Sequence, residues 1–119
     1  MLDLEALDRV DSKSMYKIYD KWAEISKNAY NSNIKIAQFK DVDHVVFVGM
    51  GGSGTLGDIF SSILSKTNIH ISIVKGYLLP KTIDKNSLVI FTSVSGNTAE
   101  TLSAIKDAVK QNYNTISFS

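Results

Sequence analysis

A chain of 119 residues that is 44% apolar, with a single proline, has the composition of one compact globular domain and not of a disordered segment. Its formal net charge of +1 excludes bulk electrostatic attraction to nucleic acid or to an anionic membrane, so neither is expected as a partner. The lack of cysteine removes disulfides and thiolate chemistry and fits a cytoplasmic protein. No apolar run approaches the roughly 20 residues of a membrane helix, and Met1-Leu2-Asp3-Leu4-Glu5 has no basic region of the kind that opens a signal peptide.

In chain order, residues 1–31 read as helical. Leu2, Leu4, Leu7 and Val10 predict a short first turn or helix. Asp11-Ser12 is a start signal for a longer one, whose face carries Met15, Ile18, Tyr19, Trp22, Ile25 and Ala29. Trp22 and the tyrosines are read as packing residues. Asn28 to Asn33 reads as a break, and residues 34–43 as a linker, so that 1–43 forms an N-terminal helical segment.

From residue 44 the pattern changes. Val45-Val46-Phe47-Val48 is a short, fully apolar strand, followed at once by the loop Gly49-Met50-Gly51-Gly52-Ser53-Gly54. A helix ending near Lys66 then carries Leu56, Ile59, Phe60, Ile63 and Leu64 on one face. The next strand, Ile69 to Val74, alternates in polarity, which predicts shallower burial. Lys75 to Pro80 leaves it as a loop. A third strand runs from Ser87 to Thr92, a helix from Thr98 to about Gln111 with Leu102, Ile105 and Val109 inward, and a fourth strand from Thr115 to Ser119. Strands alternating with helices define an α/β fold with a parallel sheet over 44–119. Ligands bind such sheets at the carboxyl ends of strands, at a switch point in strand order. The order 2-1-3-4 is the simplest that brings both polar loops, Gly49–Gly54 and Ser93–Thr98, to one crevice.

The second of these loops carries the strongest chemical signal. Ser93-Val94-Ser95-Gly96-Asn97-Thr98-Ala99-Glu100 sits where a strand hands over to a helix N-terminus. Free N–H groups and the helix dipole favour an anion there, and Ser93, Ser95 and Thr98 each carry a hydroxyl that can donate to a phosphate oxygen. A competing reading is simple capping, with Asn97 as N-cap and Glu100 three residues on. The pattern leaves both open. Gly49-x-Gly51-x-x-Gly54 formally matches a dinucleotide fingerprint, yet the acidic residue expected about 20 positions on is replaced by Val74-Lys75-Gly76. That weakens a nicotinamide site and leaves NADP as an alternative. The P-loop pattern fails, because its Lys-Ser/Thr pair would fall on Thr55-Leu56.

The glycine loop with Gly57-Asp58, then Lys75-Gly76-Tyr77 and Leu79-Pro80, then Ser93-x-Ser95-Gly96-Asn97-Thr98-x-Glu100-Thr101, together resemble a sugar isomerase (SIS) domain. The combination is most similar to the N-terminal part of archaeal-type bifunctional phosphoglucose/phosphomannose isomerases. The resemblance covers most of 44–119. It implies a three-layer parallel sheet of flavodoxin-like type with N-terminal helices, here as an incomplete domain. It also implies interconversion of glucose 6-phosphate or mannose 6-phosphate with fructose 6-phosphate through a cis-enediolate, with no metal or nucleotide cofactor. By match, Ser93, Ser95 and Thr98 would bind the phosphate, Ser53 would line the substrate pocket, and Gly51 and Gly52 would let backbone amides approach the sugar. Similar enzymes build the site between two such domains and act as homodimers.

The resemblance also marks a gap. Family members use a Glu, a His, an Arg and a Lys that lie further along their chains, and nothing here matches them. His44 and His70 fall at the amino ends of strands, the wrong edge for this site; Glu100 is read as a cap and Asp58 as a dipole or packing partner. The expectation is a phosphosugar-binding segment without catalytic residues of its own, inactive alone. The alternative is a non-catalytic phosphosugar-sensing module on the same domain.

Overall fold

The computed structural model describes residues 3–33 and 37–119. They fall into two compact units, Met1–Ala37 and Gln38–Ser119. Among the described residues no helix is long and apolar enough to cross a membrane.

The first unit holds α1 (Leu4–Val10), α2 (Tyr16–Asp20) and α3 (Trp22–Asn31). Asp3 caps α1, its carboxylate accepting the Ala6 N–H at 2.8 Å. Asp11 accepts the Tyr16 N–H at 2.9 Å, so it does open a helix, though only the five residues of α2. Hydrogen bonds from the backbones of Met15 and Tyr16 hold the Asp11 carboxyl below its ordinary value. Ser14, in the left-handed region at φ 51°, makes the turn between. The short first helix thus forms as α1, and the longer helix expected after it is split into α2 and α3. The stripe Met15, Ile18, Tyr19, Trp22, Ile25 stays exposed, with the Tyr19 and Trp22 rings 5.0 Å apart. Leu2 and positions 34–36 of the expected linker lie outside the described residues.

The second unit is a four-stranded parallel sheet in the order β2-β1-β3-β4, built from β1 (His44–Val48), β2 (His70–Val74), β3 (Ser87–Thr92) and β4 (Asn114–Phe118). The order is the one the two loops required. β1 is central and buried at all five positions, which is why it reads as an unbroken apolar run. β2 is an edge strand and only partly buried, in keeping with its alternating sequence.

Two helices connect the strands, α4 (Gly51–Leu64) and α5 (Ala99–Lys110). They lie on opposite faces of the sheet. Val46, Val48, Val89 and Phe91 form the core with Ala104 and Ala108 of α5. The other side of β1 meets α4, where Phe47 and Phe60 stack at 5.2 Å. Beyond α4 that face is open. Val45, Phe47, Phe60, Ile90 and Phe118 line an apolar groove of about 590 Å³.

The buried faces of both helices differ from those read in the sequence. In α4 the buried residues are Gly54 and Gly57, while Leu56, Ile59, Phe60 and Ile63 are exposed. In α5 they are Thr101, Ala104 and Ala108, while Val109 is 62% exposed. The cause is close approach. A Cβ on Gly57 would lie 2.9 Å from Phe47 Cβ, so only a residue without one lets the helix settle onto β1. The largest apolar side chains then flank the contact line and do not form it.

Thr101 is 2% exposed, and its hydroxyl has no hydrogen-bond partner among the described residues. A buried unpaired hydroxyl costs about 1–3 kcal/mol, whereas an apolar group of the same shape does not. Thr101→Val is therefore expected to leave the melting temperature unchanged or raise it; a clear drop in thermal unfolding would show that the hydroxyl has a partner.

At the amino edge of the sheet, His44 is 6% exposed. It stands beside His70 on β2 and Ser87 on β3, its two register partners. Its Nε2 lies 2.9 Å from Ser72 Oγ and its Nδ1 3.3 Å from Ser87 Oγ. Ser87 in turn donates to Asp84 at 2.9 Å. Burial, and then the His70 imidazole 4.7 Å away, hold His44 below the ordinary 6.5, with the Asp84 and Asp43 carboxylates opposing. The unfolded chain therefore takes up this proton at higher pH than the folded one. Stability is full above the unfolded value and is lost as pH falls through 6.5 toward the lower folded value. A lower urea midpoint at about pH 5.5 than at about pH 7.5 is expected; equal midpoints would refute the shift.

Candidate phosphate-binding site

The carboxyl ends of β1 and β3 are adjacent, with Val48 paired to Phe91. Their exits are tied together. Thr92 donates its hydroxyl to the Ser53 carbonyl at 3.1 Å, with the Val48 carbonyl at 3.5 Å. A Cβ on Gly49 would meet that hydroxyl at 2.6 Å, so the contact needs glycine. The two polar loops thus share one crevice. Thr92 was not among the residues singled out from sequence; its role depends on register across two strands.

On the β1 side the helix begins earlier than the sequence suggested. Gly51 to Gly54 are already the first turn of α4, and its N-cap, Met50, offers no side-chain hydrogen bond. Gly51 has φ +53°, which glycine adopts without strain, and the space above Gly51 and Gly52 is open for 4 Å around a notional Cβ. Their backbone is accessible to a ligand. Ser53 is partly buried behind them. Lys75 leans across Gly54 and pairs with Asp58 at 2.7 Å, both side chains about half exposed. Asp58 is thus an ion-pair partner within the fold. Such a pair contributes at most about 1 kcal/mol, so Asp58→Asn is expected to shift the denaturation midpoint only slightly.

On the β3 side, Gly96, at φ +62°, turns the chain, and Thr98 is the N-cap of α5. Thr98 makes no side-chain capping hydrogen bond there, and among the described residues neither Asn97 nor any other side chain does so. The capping box drawn from Asn97 and Glu100 does not form. The front of α5 holds hydroxyls instead. Thr98 Oγ1 lies 3.1 Å from Ser93 Oγ and 3.4 Å from Ser95 Oγ, and Ser95 also accepts the Asn97 N–H at 3.2 Å. Three O–H groups share two mutual contacts, so at least one proton is left to donate outward. The leading N–H groups of α5 and its dipole add to the same spot. Ser93, 8% exposed, is the fixed member of the set, while Ser95 is open to solvent. His44 and His70 stand at the opposite end of the strands, as their positions implied.

Parallel strands in the order 2-1-3-4, glycines opening one helix and a serine–threonine cluster opening the other, define a sugar isomerase class of α/β domain. The chain belongs to the SIS domain family, whose profile matches residues 38–119. It is 43% identical over 86 residues to the bifunctional phosphoglucose/phosphomannose isomerase of Caldicellulosiruptor bescii, a match covering 71% of this chain and 24% of that protein. It is 30% identical over 94 residues to the D-glucosamine-6-phosphate 4-epimerase of Sulfolobus acidocaldarius, covering 79% of this chain and 29% of the relative. The sugar isomerase domain of an RpiR transcription factor from Sphaerobacter thermophilus superposes with a TM-score of 0.56 at 22% identity, over 65% of this chain and 46% of that one. The chain thus spans between about a fifth and a third of the length of the curated relatives it matches.

Proposed function

We propose that this chain is the sugar-phosphate-binding part of an aldose–ketose isomerase interconverting glucose 6-phosphate or mannose 6-phosphate with fructose 6-phosphate. The observation that carries the reading is the front of α5, an uncapped helix N-terminus faced by the hydroxyls of Ser93, Ser95 and Thr98. An N-terminus without a capping side chain has donors to spare, and a phosphate supplies the acceptors. In this reading the phosphate sits there, and the sugar extends across the crevice toward Gly51, Gly52 and Ser53. The backbone amides of the two glycines approach the end of the sugar that becomes the enediolate. Donors placed before charge develops lower the barrier, while the remote phosphate grip orients the reacting carbons. The relatives' names support a phosphorylated hexose as the shared ligand, since isomerase and epimerase alike carry one.

The proton-transfer groups are proposed to come from outside this segment, so the chain binds without turning over, and the whole enzyme is a cytoplasmic homodimer. The test is an NMR titration with fructose 6-phosphate, with NADP in parallel. Shifts at both Gly51–Gly54 and Ser93–Thr98 with the sugar phosphate alone are expected. Shifts with NADP alone would replace this reading with a dinucleotide site. Sugar-phosphate binding by a longer chain that shows no isomerase activity would favour a sensing module instead.

A further inference from the structure

The amino edge of the sheet holds a second constellation with its own chemistry. Ser87 has one hydroxyl proton and two neighbours that could take it, His44 Nδ1 at 3.3 Å and the Asp84 carboxylate at 2.9 Å. The closer, charged acceptor wins. Ser87 Oγ also accepts the Asp84 backbone N–H at 3.0 Å. For the His44–Ser87 contact to be a hydrogen bond, Nδ1 must then carry the imidazole proton. Nε2 is left bare, and it faces Ser72 Oγ at 2.9 Å. Ser72 therefore donates to a neutral imidazole oriented from behind, a nucleophile–base–orienter order with Ser87 inserted before the carboxylate.

The serine is within reach of a substrate. It is only partly buried, and it borders an open groove of about 680 Å³ between β2 and the loop through Tyr77 and Pro80. β2 is an edge strand. His70 donates to Asp43 and Val74 accepts from Gly49, so the even positions turn their backbone toward β1. Ile71 and Ile73 direct theirs to the free edge, which leaves the N–H of the residue after Ser72 unpaired within the sheet. An N–H at that position is the kind of donor that stabilises an acyl-transfer oxyanion.

From this geometry we infer that Ser72 is a base-activated nucleophile that accepts an acyl group from an activated ester. Its Oγ attacks the carbonyl carbon, and the hydroxyl proton passes to His44 Nε2. The carbon–oxygen bond to the leaving group breaks, and the leaving alcohol takes that proton, so the product is an O-acyl serine. Ser87 and Asp84 are positioning residues that fix the tautomer. His44 lies at the amino end of β1 and Ser72 is level with Val46 in its middle, roughly 10 Å along the strand from Gly49, so the residues of this site are distinct from those of the phosphate reading.

The test is to treat the 119-residue chain with p-nitrophenyl acetate and follow acetylation of individual serines by peptide mass mapping. The exposed Ser12 is the internal reference. Ser72 is expected to acetylate on the order of 100-fold faster than Ser12. Its rate should rise with pH as His44 deprotonates, with a midpoint below 6.5, set by burial and His70 against Asp84 and Asp43. Asp84→Asn should slow Ser72 while leaving Ser12 unchanged, and His44→Gln should bring Ser72 down to the Ser12 rate. Acetylation of Ser72 no faster than Ser12 in the folded wild-type chain would overturn the inference. A fast Ser72 indifferent to Asp84→Asn would overturn the relay through Ser87.

Discussion

Thr98→Val is expected to weaken fructose 6-phosphate binding by roughly 10- to 100-fold, the worth of one hydrogen bond to a charged acceptor. Thr98 is the hub of the hydroxyl cluster, touching both Ser93 and Ser95. Its side chain does not cap α5, so the substitution removes no existing capping bond and the melting temperature should move little. That contrast separates a binding role from a structural one. An affinity loss with stability intact supports the phosphate reading. Unchanged affinity, measured by the same NMR titration, would remove Thr98 from the site. Ser95→Ala, at an exposed position, is expected to act in the same direction.

Gly54→Ala is expected to cost about 1–3 kcal/mol of stability, as overpacking at a well-packed contact does. A Cβ at this position meets the Gly49 carbonyl oxygen at 2.6 Å and the Lys75 side chain at 3.1 Å. The first of these is backbone and cannot rotate away. The favourable helix propensity of alanine, up to about 1 kcal/mol, offsets only part of this. For a domain this size each kcal/mol corresponds to roughly 4–8 °C in melting temperature, which a thermal scan resolves. Relief of the clash moves α4 away from β1 and carries Gly51 and Gly52 with it, so ligand affinity should fall alongside stability. Gly52→Ala is the matched control for stability, because a Cβ there meets nothing within 4 Å. A variant Gly54→Ala as stable as the wild type would mean that the turn at Gly49 yields easily.

The strands and their order were legible because each strand is a short apolar or alternating run between polar turns, and the connecting helices leave few topologies open. That the hydroxyls of Ser93, Ser95 and Thr98 gather at a helix start was legible for the same reason, since the apolar strand before them and the helical pattern after them mark the handover. The helix faces were not. Apolar periodicity finds the stripe of largest side chains, Leu56 to Ile63 in α4, but the sheet selects its contact line by how closely a backbone can approach, and Gly57 and Ala104 win there. The hydroxyl cluster also displaced the expected cap. Asn97 and Glu100 have the right spacing, yet the turn at Gly96 places Thr98 at the helix start. The network through His44, Ser72, Ser87 and Asp84 joins three separate segments. It became visible only once β1 was in register with both neighbours.

The tie between Thr92 and Ser53 has a kinetic corollary. The crevice exists only after β1 has found β3, a strand 43 positions downstream at the His44–Ser87 rung, with all of α4 and β2 lying between them in sequence. Closing so long a loop is a slow, entropically opposed step, and local helix formation cannot substitute for it. Ligand competence should therefore arrive with the final docking of the central pair and not with the early helical signal. Conversely, a phosphosugar that binds across both strand exits acts as a clasp on the β1–β3 pair at its Val48–Phe91 end. In hydrogen exchange it should slow opening of β1 and β3 most, and protect the outer strand β2 far less.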